Sequence, residues 1–125
     1  MSNLLPFTPK PNKINNLGIL TLVSGISNLG YGLFVTGTVA LSTLGIGLLC
    51  APIFMLPAIL GIFELIYASK LMSNPPQPVQ PAQTIAILEI CGLLTGNLIS
   101  VIAGVGALIL YNHRDVMAYF AQFKA

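Results

Sequence analysis

Three apolar runs, set apart by polar or proline-rich stretches, give the chain its pattern; they cover residues 14–36, 45–72 and 84–111. The last is the most regular. Thr84–Tyr111 holds one charged residue, Glu89, among 28. Small residues recur at every fourth position, as Gly92, Gly96, Ser100 and Gly104. At 3.6 residues per turn these share one quadrant of a helix with Glu89, Ala103 and Ala107. Ile90, Leu94, Leu98, Ile99, Leu108 and Ile109 take the opposite side. The pattern predicts one helix, smooth where it packs on protein and bulky where it meets lipid. At ~1.5 Å per residue it is ~42 Å long, more than the ~30 Å hydrocarbon layer, so it tilts or protrudes.

The first run predicts a span over 14–36. Gly18, Thr21, Gly25, Asn28 and Gly32 follow a three-and-four spacing along it. That seam lets a second helix approach closely, and Asn28 can hydrogen-bond across the contact. Residues 37–51 carry no charge and several mild breakers. They read either as a turn with an early start to the second helix or as a re-entrant half-helix. The second run, 45–72, has Pro52 and Pro57 near its start, where each can begin or kink a helix. Pro57, Gly61, Glu64, Ala68 and Leu71 share a face, while Tyr67 and Lys70 suit an interface.

The remaining stretches are linkers and ends. Residues 1–13, with Pro6, Pro9 and Pro11, predict an extended proline-rich arm, and Lys10 and Lys13 stand just before the first run. Residues 73–83, SNPPQPVQPAQ, predict a stiff exposed linker. In the 112–125 tail, Asn112 reads as an N-cap with Asp115 three residues on. Val116, Phe120 and Phe123 line one face and Met117 sits beside them, which predicts a short amphipathic helix at the interface.

The predicted fold is therefore all-α, an integral membrane bundle of three transmembrane helices with four possible. Dividing residues 17–72 into three crossings leaves about 19 residues each and no loops, which favours three spans. With three, Lys10, Lys13 and Lys70 face the cytoplasm while Arg114 and Lys124 lie outside. A fourth crossing would bring the tail inside and strengthen the positive-inside bias.

Composition sharpens this reading. Of 125 residues, 55% are hydrophobic and only 6% charged, where soluble domains carry about 25%. The mean hydropathy is +0.89. The bilayer is thus the expected solvent and partner, in a multi-pass chain of the cell membrane. A net charge of +2, no basic run and no Trp argue against nucleic acid as a partner. Cys50 and Cys91 lie in apolar runs and read as plain buried thiols. The apolar start at Leu17 runs past a usual signal-peptide core, which reads as a retained span.

The chemistry on offer is a pair of acids. Glu64 lies six residues inside Lys70, and Glu89 lies five inside Thr84. The linker joins those two ends, so the helices run antiparallel and the acids fall at similar depth, on faces able to meet. A structural hydrogen-bonding role, ion or proton handling, and contact with a partner all stay open for this pair. His113 stands alone, no His/Cys/carboxylate set has metal spacing, and no catalytic constellation is visible, so neither catalytic nor metal residues are assigned. A cofactor stays unassigned, and His113 does not select a haem or chlorin.

Residues 50–120 carry the run CAPIFMLPAILGIFELIYASKLM and, after the linker, AILEICGLLTGNLISVIAGVGALILYNHRDVMAYF. This resembles small bacterial polytopic membrane proteins of uncharacterised activity, with Glu64 in FELIYASKL and Glu89 in ILEI as the most specific pieces. The resemblance implies a helical membrane fold and brings no activity. The expected function is a non-catalytic accessory or scaffold subunit of a larger membrane assembly, a bioenergetic one among the candidates. The motive is two small-residue seams on a chain too small to cover both, which also points to other subunits or self-association. The alternative is an oligomeric channel or ion-coupled transporter using Glu64 and Glu89.

Overall fold

A computed structural model describes residues 9–123, and the described residues form helices and no strands. Pro6 and most of the proline arm, and Lys124 of the tail, lie outside that range. Helix α1, Asn12–Ser42, is one unbroken rod of 31 residues, ~46 Å long. It starts directly after Pro11, whose extended backbone suits the residue that precedes a helix. Leu44 and Gly45 both take positive φ, 52° and 91°, and reverse the chain. The return leg runs Ile46–Leu71 through a 3₁₀ turn (Ile46–Cys50), α2 (Ala51–Phe54) and α3 (Leu56–Leu71). Pro52 and Pro57 each sit in the first turn of a helix, where the missing N–H costs nothing. Residues 37–42 therefore continue α1, and 43–51 are a turn with an early start to the return leg, not a half-helix.

Both legs are long and apolar enough to cross a membrane. They pack intimately because glycine lines the contact. A Cβ on Gly61 would stand 2.6 Å from the Gly25 carbonyl oxygen, and one on Gly32 would stand 2.6 Å from the Ala58 amide nitrogen. Gly18 lies under Met72 in the same seam.

The stretch 84–111 is not one helix. Helix α4, Gln83–Cys91, runs into a 3₁₀ turn, Gly92–Thr95, and the chain then doubles back at Gly96, φ 80°. Helix α5, Leu98–Tyr111, returns antiparallel and packs on α4. The spacing of small residues holds, but it serves another contact. A Cβ on Gly104 would meet the Ala86 carbonyl oxygen at 2.5 Å and Glu89 Cβ at 2.8 Å, while one on Gly92 would meet Ser100 Cβ at 3.2 Å. These residues line the inside of a hairpin rather than one face of a straight rod.

The hairpin is shorter than the α1–α3 pair. Its turn reaches Tyr31, whose hydroxyl donates to the Thr95 carbonyl. Helix α1 continues 11 residues beyond that point, ~16 Å. At the other end the exposed charges gather. The Lys10 ammonium donates to the Ser73 carbonyl at 2.6 Å, and Lys13 pairs with Asp115 at 3.2 Å. Helix α6, Arg114–Ala121, closes this end, with Val116, Tyr119 and Phe120 buried against Ile14, Leu17, Leu71 and Tyr111. It plugs the bundle, and its remaining face, with Met117, is exposed. Its N-cap is His113; Asn112 instead ends α5 and donates to the Leu108 carbonyl at 2.8 Å.

The bundle is inverted relative to a water-soluble protein. Away from the apolar cluster under α6, its sealed positions are small or polar, among them Ser24, Asn28, Glu64, Glu89, Asn97 and Ser100. Its outside is Leu, Ile and Phe, with Leu44 at 95% and Leu94 at 89% exposure. Cys50 and Cys91 are exposed on that apolar outside and not buried, because both fall on the bulky sides of their legs.

Candidate functional site

All four legs contribute to one polar centre. Helix α1 presents Ser24 and Asn28, four residues apart and so one above the other on the face toward α3. Helix α3 presents Glu64, which is 0% exposed. Its Oε1 accepts from the Ser24 hydroxyl at 2.6 Å and its Oε2 from the Asn28 amide at 2.8 Å. The Asn28 amide also donates to the Ser100 hydroxyl oxygen at 3.0 Å. On its other side, Asn28 accepts from the Asn97 amide at 2.6 Å. Asn97 is the N-cap of α5: its carbonyl oxygen accepts from the Ser100 backbone N–H at 3.3 Å and from the Ser27 hydroxyl at 3.3 Å.

Glu89 enters from α4, 1% exposed, with its carboxyl against those of Glu64 and the hydroxyl of Ser24. The two acids that the sequence places at equal depth are thus brought together. They do not lie on two straight antiparallel helices, however. The helix break at Gly96–Asn97 is what turns α5 back and delivers Asn97 and Ser100 to the same centre. One atom stands out. Glu89 Oε1 is buried and has no hydrogen-bond partner among the described residues.

Of the seam residues, Gly18, Gly25 and Gly32 hold α1 against α3, and Asn28 is the hub of the polar centre. Gly92 and Gly104 hold the hairpin arms together, Gly96 makes its turn, and Ser100 belongs to the centre. Sequence reasoning missed Ser24 and Asn97. Gly96-Asn97 is a turn dipeptide inside an apolar run, and that signal was there to be read. Ser24 lies one turn before Asn28 and was hidden by the commonness of serine in membrane helices.

A second polar group lies toward the charged end. The Tyr67 and Tyr111 hydroxyls stand 3.3 Å apart. Tyr67 donates to the Gln80 carbonyl at 2.7 Å, and the Ala82 N–H points at both phenols, 3.2 and 3.3 Å away. The proline linker is thereby tied to α3 and α5, so Tyr67 acts as a clamp more than a headgroup anchor. Among the described residues, no group of three or more His, Cys, Asp or Glu forms a metal cluster. In comparisons with known proteins, the chain matches no family model, no curated protein and no solved structure.

Proposed function

We propose that the chain is a multi-pass protein of the cell membrane, acting as a non-catalytic accessory or scaffold subunit of a larger assembly. The observation that carries the membrane part is the inversion: a hydrogen-bonded polar centre inside and an outside rich in exposed Leu, Ile and Phe. In water the exposed Leu, Ile and Phe would be an aggregation surface. In lipid they need no cover. Two full crossings with a re-entrant hairpin between the second crossing and α6 would put Lys10, Lys13, Lys70 and Arg114 on one side, which the positive-inside rule makes cytoplasmic.

The scaffold part rests on the ~16 Å of α1 that runs past the hairpin with only the return leg beside it. Beyond the hairpin tip, α1 and the return leg expose Leu33, Phe34, Leu41 and Leu56, with only each other for company. A neighbouring membrane subunit seated there would continue the four-legged packing that the hairpin begins. Cross-linking with mass spectrometry in native membranes, followed by mild-detergent purification, tests this. The expected result is cross-links from residues 33–56 to another membrane chain or a second copy; a strictly monomeric protein without cross-links refutes it.

A second reading is favoured by one atom, the unpartnered Glu89 Oε1. An intramembrane acid with free bonding capacity suits ion or proton coupling. That reading requires a flux in liposomes that disappears when Glu64 and Glu89 are both changed to Gln.

A further inference from the structure

We propose that Glu64 and Glu89 form an exchangeable-proton site: one proton, carried by Glu89 and shared with Glu64, that comes and goes while the bundle stays folded. The argument is one of hydrogen-bond stoichiometry. Both Glu64 oxygens already accept, Oε1 from Ser24 and Oε2 from Asn28. A second carboxyl group can rest against such an acceptor only by bringing a hydrogen of its own. Glu89, 1% exposed, lies against it, and among the described residues no Lys, Arg or His belongs to the centre, so no cation is at hand there to separate two carboxylates. Two bare carboxylates sealed together in a low-dielectric site would be held apart by a large repulsion. The proton therefore sits between the acids, on Glu89.

The same geometry says why this proton is exchangeable and not a permanent lock. A purely structural acid would spend both of its oxygens on the network, as Glu64 does. Glu89 keeps Oε1 unpartnered at 1% exposure. An acceptor left open in a sealed site is where a second proton donor, a water in transit, would bind. Toward the charged end the Tyr67 and Tyr111 hydroxyls stand 3.3 Å apart and reach the linker backbone at Gln80 and Ala82. The linker borders an open cleft formed with Lys70 and Phe123. Phenol groups that both donate and accept are suited to hand a proton between that cleft and Glu89.

The site inference rests on the membrane reading above, and its test keeps the two apart. Carbonate-washed membranes report whether the chain is embedded, and labelling reports the proton. The probe is dicyclohexylcarbodiimide, an apolar reagent that reacts with carboxylic acids. The acid proton moves to a carbodiimide nitrogen, the carboxyl oxygen bonds to the central carbon, and the adduct rearranges to a stable N-acylurea. Peptide mass spectrometry locates it. The expected result is an adduct on Glu89 in mildly acidic buffer that falls at least tenfold as the buffer is made alkaline. Asp115, an aqueous carboxylate, stays unlabelled. In the infrared, the Glu89 carboxylic carbonyl band should shift within minutes of transfer to D₂O and be missing in Glu89→Gln. That variant should fold, because a Gln amide N–H can donate to Glu64 where the acid O–H did. Both wild-type readouts stand even if it does not. The inference is overturned by no adduct on either glutamate, by an adduct indifferent to pH, or by a carbonyl band that stays unshifted in D₂O. Protection by NaCl but not by choline chloride also overturns it, because the occupant would then be sodium.

Discussion

Gly61→Ala adds one methyl group at a place with no room for it. The new Cβ would stand 2.6 Å from the Gly25 carbonyl oxygen and 2.7 Å from the Leu29 amide nitrogen, where ordinary contact begins at 3.4 Å. The shortfall is about 0.8 Å, and both obstacles are backbone atoms of α1. Only a shift of the whole helix relieves it. Such a shift also acts on the polar centre, for the Ser24–Glu64 bond bridges the same two helices at 2.6 Å. Lengthened by that shortfall, it would lie at the edge of hydrogen-bond geometry. Three contributions then compete. Alanine gains up to about 1 kcal/mol as a better helix former. Overpacking costs about 1–3 kcal/mol. A weakened bond to a buried carboxyl costs about 1.5–3 kcal/mol when fully lost. The net expectation is a loss of about 2–4 kcal/mol. Gly30→Ala is the control, because nothing lies within 4 Å of its Cβ and only the helix-former gain applies. Titration of the purified protein from mild detergent into dodecyl sulfate, followed by helical circular dichroism, compares the two. Should Gly61→Ala resist unfolding as well as Gly30→Ala, the close α1–α3 contact is wrong.

Asn28→Leu removes the donor to Glu64 and Ser100 and the acceptor of Asn97 together, and should cost about 3 kcal/mol in the same titration; a change under about 1 kcal/mol would mean the network is wet. Gly96→Val forces a branched side chain into φ 80° and should cost about 1–2 kcal/mol, with no cost expected only if 84–111 is a straight helix after all. Asp115→Asn breaks the exposed pair with Lys13 and should change stability by less than about 1 kcal/mol, an effect that salt erases. In a Cys50→Ala, Cys91→Ala background, a membrane-impermeant maleimide should label Ser73→Cys from the cytoplasmic side, Thr43→Cys from the other, and Thr95→Cys from neither. Labelling of Thr95→Cys from the side opposite Ser73 would mean that the hairpin crosses.

Periodicity served the sequence reading well where one helix packs on one neighbour. The α1 seam of Gly18, Gly25, Asn28 and Gly32 faces α3, and the antiparallel meeting of Glu64 with Glu89 follows from a short linker and equal spacing. It failed at 92–97. A four-residue recurrence of small residues is what a straight helix with a smooth face requires, and it is equally what the inside of a tight helical hairpin requires. Period alone does not separate the two; the Gly96-Asn97 dipeptide does, because it supplies a positive φ and then an N-cap. Length gave a second clue, since a ~42 Å span exceeds the ~30 Å layer by two turns. Breakers are more numerous in residues 17–72, yet Ser42 and Thr43 there end a long helix and a single reversal follows at Leu44 and Gly45. The tail was misjudged for a simpler reason: Asn112 and His113 can each precede Arg114, and backbone conformation chose His113.

The two small-residue seams have one purpose between them. In lipid, apolar side chains gain nothing by packing on one another that lipid would not offer, so helix pairing depends on close contact and on polar groups. Glycine at 25, 32 and 61 brings α1 and α3 near enough for Ser24 and Asn28 to reach Glu64. Glycine at 92 and 104 brings α4 and α5 near enough for Glu89 and Ser100 to occupy the same depth. Each pair alone would carry unsatisfied polar groups: Glu89 and Asn97 on the hairpin, Asn28 on the long pair. Only docking of the hairpin against α1 at one register closes the network. Slide it one turn along α1, and Asn97 leaves Asn28 while Ser100 leaves Ser24. The polar centre thus fixes how far the hairpin enters the bundle, and it holds the unpartnered oxygen of Glu89 at that depth.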